Sequence, residues 1–556
     1  MNILVMMLVA VSALLAGYFL YSRFLSKVLG LGSLTETPAH EKNDGVDYVP
    51  AKKVVLLGHH FASIAGAAPI IGPVLAAQYG WLPVFLWIIL GGVFMGAVHD
   101  FTTLVASVRH GGLSVGTIIE TYLGHTGKII FLLFAWATLI LVIAVFTKAV
   151  THTFISHGAA ATSSLLFILL ALVFGFSIYR CKIPLWLGTI IGVTLLGACL
   201  YGGYLFPFPR LWSSSQGADP MVPFWFITLA VYISIASITP VNILLQPRDY
   251  LNSFLLYAML GLSLSAIFVS PLKIASPAVT TYSIKGLGPI FPMLFVTVAC
   301  GAISGFHSLV ASGTTAKQLD KETDARPVAY GGMLIESLLA VIALISVIYL
   351  SHSDYLGRLF DQKGNANPLG AFSSGVAHLM TSIGIKEGFG RVFISLAVSA
   401  FALTSLDTAT RLARFTLQEL FAGSAKSIRS PHFFCKTMQN RYVATAITVA
   451  AAMALLFSGR GLDLIWQLFG SANQLLAALA LMAVTIWLSK TGRKSWFTMV
   501  PMVIMYIVTI TALILNLIKN LREGHIFITA IVVALLVLAF SLGVTYVTNR
   551  YRMSSH

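Results

Sequence analysis

Gly58-His59-His60-Phe61-Ala62-Ser63-Ile64-Ala65-Gly66-Ala67-Ala68-Pro69 lies inside an otherwise apolar run near 56 to 75, long enough to cross a bilayer. A membrane helix must pair its backbone groups within its own length, and Gly66, Pro69, Gly72 and Pro73 interrupt that pairing. Two imidazoles followed by a string of small residues therefore read as a broken helix. Its freed amides favour anionic groups and its freed carbonyls favour cations. The bland reading, a kink that only permits close helix packing, is the alternative.

Working outward, the 556 residues are 57% hydrophobic and 10% charged, with a mean hydropathy of +0.88. A soluble domain carries roughly a quarter charged residues, so the solvent for most of this chain is lipid and the fold class is all-α and polytopic. Apolar runs place fifteen spans near 3–20, 56–75, 84–108, 129–154, 164–178, 184–205, 222–246, 251–270, 289–313, 329–351, 389–410, 442–458, 464–489, 496–518 and 526–549. The first lacks a basic leader and a small-residue cleavage pattern, and reads as a retained helix.

A formal charge of +16 raises the question of a nucleic-acid partner. The 35 Lys and Arg instead follow membrane topology: most fall in alternate loops if the N-terminus is outside, which sets Arg550 and Arg552 in the cytoplasm. The partners expected are thus the bilayer and a small molecule, with no nucleic acid, and no feature sets an oligomeric state. Cys181, Cys199, Cys300 and Cys435 show no paired spacing. Without a phosphate-binding loop, a His-Glu-x-x-His or a dinucleotide fingerprint, the chain reads as no enzyme, and active transport would draw on a gradient.

A second small, Pro-containing stretch, Ser237-Ile238-Thr239-Pro240-Val241-Asn242, interrupts the expected span at 222–246. Five spans separate the starts of the two interrupted helices, the arithmetic of an inverted five-helix repeat. The expected organisation is a leading helix and cytoplasmic loop (1–55), one repeat (56–205), its inverted partner (222–415) and four trailing scaffold helices (442–556). Substrate would sit among Ser63, Ala65, Gly66, Ala67, Ala68, Ser237, Thr239, Pro240 and Asn242, with Ser304, His307 and Ser308 lining the approach.

Ionisable residues inside spans are costly, about 2.5–3.5 kcal/mol at the bilayer centre on insertion scales, and they commonly mark pathways. His59, His60, His99, Asp100 and His307, with Asp249 just past the second interruption, all fall toward the cytoplasmic half. They suit a proton relay because imidazole titrates near neutrality. His59, His60, His99 and Asp100 are also metal-ligand types, though no single helix carries a paired ligand spacing. Helix capping is the structural alternative for any one of them. Glu336 begins one span. Asp407 is expected to pair with Arg411 one turn on, and Asn473 with Gln474 to bond between helices.

Several strings resemble the carbon starvation protein A family of bacterial transporters. They are Asp44-Gly45-Val46-Asp47-Tyr48-Val49-Pro50, Gly58 to Ala62 with Gly72-Pro73-Val74-Leu75-Ala76-Ala77-Gln78, Pro247-Arg248-Asp249-Tyr250-Leu251, Ala299 to His307 with Ser312-Gly313-Thr314-Thr315, and Tyr330 to Ser337. The resemblance implies import of peptides or pyruvate by cation symport, proton favoured over sodium, in the cytoplasmic membrane and without a cofactor. It also implies a LeuT-like inverted-repeat core. The chain is shorter than the long members between 351 and 389, and carries His99 where relatives can carry Gln. A passive channel and a nutrient-sensing receptor are the alternatives of another class.

Overall fold

A computed structural model describes the chain apart from residues 1, 35, 46, 211–218, 241–244, 361–363, 365, 423–432, 459–461 and 555–556. The protein is a bundle of membrane helices with one short hairpin. A leading helix α1 (Ile3–Leu29) starts where Asn2 caps the amide of Leu4. The interrupted run forms α2 (Lys53–Ile64) and α3 (Ala68–Tyr79), bent by 47°. Next come α4 (Trp81–Arg109), α5 (Val115–Ser156), α6 (Gly158–Tyr179), α7 (Leu185–Leu205), α8 (Met221–Ile238) and α9 (Leu245–Val269).

The hairpin of β1 (Ser283–Ile284) and β2 (Gly288–Pro289) pairs Ile284 with Gly288. It leads into α10 (Ile290–Thr297) and α11 (Gly305–Gly313), then α12 (Glu322–Ile348), α13 (Pro368–Met380) and α14 (Glu387–Leu420). The chain closes with α15 (Arg441–Phe457), α16 (Leu462–Lys490), α17 (Trp496–Arg522) and α18 (Ile526–Ser554).

At 1.5 Å per residue, the 42 residues of α5 would span about 63 Å, twice a hydrocarbon core. Gly124, at φ 81°, divides it, so the lead-in helix capped by Ser114 runs apart from the spanning part. Among the described residues, 12 helices are long and apolar enough to cross a membrane, or 13 with α2–α3 taken as one span. Of the fifteen expected, the run at 289–313 is split into short helices and the one at 442–458 is the 17-residue α15.

One expectation is corrected here. The span expected at 222–246 is not a broken helix: Met221–Ile238 and Gln246–Val269 each cross alone, and Thr239 and Pro240 begin the link between them. Asn242 lies outside the described residues. The second interrupted span is instead the run from α10 to α11, where Val298, Ile303 and Ser304 leave helical geometry. The core is centred on α5, which packs most extensively along α14 and also against α16 and α15.

Candidate functional site

Every residue from Gly58 to Gly80 is buried, so the first break is closed to both faces of the protein. Ala65 ends α2 with ψ 63°, and the Gly66 amide turns back to the Ile64 carbonyl at 2.8 Å. The Ser63 carbonyl, freed from the helix, accepts the Ser405 hydroxyl at 3.2 Å. A Cβ on Gly66 would stand 2.5 Å from Ser405 Oγ and 3.2 Å from Phe146 Cζ. Glycine is thus what lets α14 and α5 close over the break. Among the described residues no side chain caps the start of α3, and Pro69 brings no N–H, so the amides of Ala67 and Ala68 form an open half-helix N-terminus.

The second break backs onto the first. A Cβ on Gly72 of α3 would lie 2.5 Å from the Thr297 carbonyl. Here the helix start is already satisfied: Asn473 of α16 accepts the Phe306 amide at 2.8 Å and donates to Ser304 Oγ at 3.0 Å. Gln474 donates to the Phe295 carbonyl at 2.7 Å. The Ser308 and Ser312 hydroxyls bond carbonyls of their own helix, at 2.6 and 2.7 Å.

Beside the breaks lie two buried polar networks. In the first, His59 Nδ1 meets Asp249 Oδ2 at 3.2 Å, Arg248 donates to Asp249 Oδ1 at 3.0 Å, and the same guanidinium pairs with Asp407 and reaches Tyr232. Tyr232 donates to Asp407 Oδ2 at 2.7 Å. In the second, Asp100 accepts from His99 at 2.7 Å and from His307 at 2.9 Å, and His307 Nε2 stands 3.3 Å from Glu336. His60 bonds Thr315 at 2.8 Å. A π-helical segment, Gly92–Gly96, precedes His99 and Asp100 and shifts the helical phase that aims them.

Counting charges shows what these networks can do. The first holds one guanidinium against two carboxylates, so one further proton, on His59 or a carboxylate, makes it neutral. The second holds two carboxylates against imidazoles alone. Unbalanced buried charge costs several kcal/mol per ion, so proton occupancy and local structure are tied together.

The expected residues His59 and Asp249 are brought together, as are His99, Asp100 and His307, while His60 turns to Thr315. Ser237 does not join them: its hydroxyl lies 3.3 Å from Thr445, and Pro240 is exposed. Asp407 does not pair with Arg411 as expected. It pairs with Arg248, while Arg411 donates to the Ala236 carbonyl at 2.9 Å and to that of Thr239, satisfying the end of α8. Tyr232 and the partnership of Arg248 went unread in the sequence, and Glu336 was visible only as an acid inside a span. Among the described residues, no three His, Cys, Asp or Glu side chains converge to hold a metal ion.

The family model described as carbon starvation protein CstA matches residues 2–359 and 359–512. A protein of Campylobacter jejuni named peptide transporter CstA is 34% identical, over 90% of this chain and 78% of its own length. An Escherichia coli K12 protein named pyruvate/proton symporter BtsT is 33% identical, over 91% and 81%. Among solved structures, MhsT in complex with L-phenylalanine aligns at 15% identity over 84% of this chain and 98% of that one, with a TM-score of 0.48. A manganese transporter of Eremococcus coleocola aligns at 13% identity over 91% and 99%, with a TM-score of 0.44.

Proposed function

Because this chain belongs to the carbon starvation protein CstA family, we propose that it is a secondary transporter importing small peptides or amino-acid-like nutrients, coupled to protons, across the cytoplasmic membrane. The observation that carries the reading is the uncapped amide end of α3, sealed from both faces and set among two buried networks of acids and imidazoles. A substrate carboxylate is held at such an end without Lys or Arg. Protonation of the His59–Asp249 and Asp100–His307 groups then offsets their unbalanced charge, and their release on the cytoplasmic side accompanies opening. Proton is assigned over sodium because every coupling group is an imidazole or an acid, and no resident cofactor or metal is assigned.

The moving frame follows from packing. The proposed repeats open at Lys53 and at Ile290, the two true breaks, rather than at 56 and 222. α5 answers α14, and the contact of α2 with α9 answers that of α11 with α16. The N-terminus is assigned to the outside and the C-terminus to the cytoplasm.

Pyruvate is the second reading, favoured by the tightness of the break, where a Cβ on Gly66 would already meet Ser405 and Phe146. Proteoliposomes with an imposed pH gradient decide between carrier, channel and receptor. A coupled carrier accumulates labelled dialanine or pyruvate uphill and does so with sodium replaced, whereas equilibration alone means a channel and no flux means a receptor.

A further inference from the structure

Glu336 sits within α12 with no exposed surface, and neither of its carboxyl oxygens is hydrogen-bonded among the described residues. Its ion-pair partner among them is His307, whose Nε2 stands 3.3 Å away without a formed hydrogen bond. An ionised carboxylate so placed has lost its water and gained little in exchange, a penalty that a bound proton removes. His307 leads to the same conclusion. Its Nδ1 meets the Asp100 carboxylate at 2.9 Å, and because a carboxylate only accepts, the ring proton lies on Nδ1. Nε2 of the neutral ring then presents a lone pair, and the acid that answers a lone pair is a protonated one.

The position of Glu336 is as telling as its lack of partners. Gly332, Glu336 and Ala340 follow one another at single turns along one side of α12. A Cβ on Gly332 would lie 3.3 Å from the His60 ring of α2, and a Cβ on Gly301, at the second break, would lie 2.6 Å from Ala340. Glu336 is thus held on the side of α12 that faces both broken helices. The titratable groups close enough to share its field are Asp100 of α4, His307 of α11 and the Cys300 thiol at the second break. His60 lies within range of Asp100 and His307.

Depth in the bundle orders these groups. Arg109 closes α4 and Glu322 opens α12, and the two side chains pair at 2.6 Å, so the helices share an end. Counted from that end at about 1.5 Å per residue, Asp100 lies about 14 Å in and Glu336 about 21 Å in. One imidazole therefore bridges two acids at different depths, with a separate ring nitrogen turned to each.

We propose that Glu336 carries the transported proton and that His307 passes it, through its two ring nitrogens, to Asp100 on the side of the shared end. The path rests on the transporter reading; the proton held by Glu336 does not. The step balances. The Glu336 O–H bond breaks as a bond from hydrogen to His307 Nε2 forms, and the Nδ1–H bond breaks as the Asp100 carboxylate takes that proton. One acid is left ionised and the other neutral, with the imidazole neutral before and after. Opening at the shared end lets Asp100 lose the proton to water, and tautomer exchange there restores Nδ1–H.

Infrared spectra of the full chain in lipid nanodiscs at neutral pH test the proton itself. The carbonyl stretch of buried protonated carboxyls is expected to lose one component in Glu336→Gln, to shift it in Glu336→Asp and to keep it in His307→Gln. Proteoliposomes holding a pH-sensitive dye test the path. Glu336→Gln and His307→Gln are each expected to lower dialanine-driven internal acidification at least tenfold, and residual uptake loses its rise with outside acidity. Glu336→Asp, which keeps the acid one methylene back, regains part of both. An unchanged spectrum in Glu336→Gln overturns the proposal, and so does full acidification in Glu336→Gln or His307→Gln. A chain that takes up neither dialanine nor pyruvate, yet loses the infrared component in Glu336→Gln, keeps the proton on Glu336 and removes the transport reading instead.

Discussion

Asp100 is the hinge of the inner network, because it receives both His99 and His307 on its two oxygens. Asp100→Asn keeps the shape but removes the carboxylate charge that lies between His99 and His307. The expected result is loss of gradient-driven accumulation in proteoliposomes, with substrate counterflow at equal pH retained within about threefold, a difference of under 1 kcal/mol. Loss of both together would mean a structural role. Arg248 makes a different prediction. Its guanidinium is shared by two buried carboxylates, so Arg248→Met leaves Asp407 without a counter-charge and Asp249 with His59 alone, at a cost of about 3–5 kcal/mol. Thermal unfolding in detergent should show that loss, and adding Asp407→Leu to Arg248→Met should return part of it. The sequence grouped Asp100 with His99 and His307 only as candidates for one relay, and the pairing of Arg248 with Asp407 could not be read from it. The residues bonded to Asp100 and to Arg248 stand up to 207 residues away, and a side chain's depth in a span says nothing of the helix it faces.

Gly66 is worth arguing at the scale of its element. Gly66→Ala would place a methyl 2.5 Å from Ser405 Oγ, forcing α14 off the break, and is expected to abolish transport; Gly197→Ala, with open space around its Cβ, should leave transport unchanged. Initial uptake rates at matched protein level make the comparison, and equal activity of the two variants would remove the close-approach argument. This break was legible because Gly and Pro stand where a helix cannot spare a hydrogen bond. The other was not. Ala299-Cys300-Gly301-Ala302 holds no Pro and reads as ordinary close packing, although Gly301 does press on Ala340. Pro240 drew the eye to 237–242 instead, because the largely apolar sequence after Ile238 reads as a continuation of the span before it. Most of the run of spans was legible, since apolar length is the signal that a bilayer imposes.

For the whole molecule, the charge bias of the loops predicts which side faces the cytoplasm. A reporter active only in the cytoplasm should work when fused after His556 and fail when fused before Met1; the reverse pattern would invert every sided statement about the networks. The pairing of Arg248 with Asp407 bears on how the chain is made. Its two members are 159 residues apart, and ribosomes add about 5–20 residues per second. During synthesis the arginine of α9 therefore waits roughly 10–30 s for its second acid, with Asp249 the one carboxylate of the pair already beside it. Whatever shelters it in that interval, be it water in the insertion machinery or a headgroup reached by the flexible stem, becomes part of the folding pathway. A nascent chain stalled before α14 should then be a target for quality control rather than a stable half-transporter.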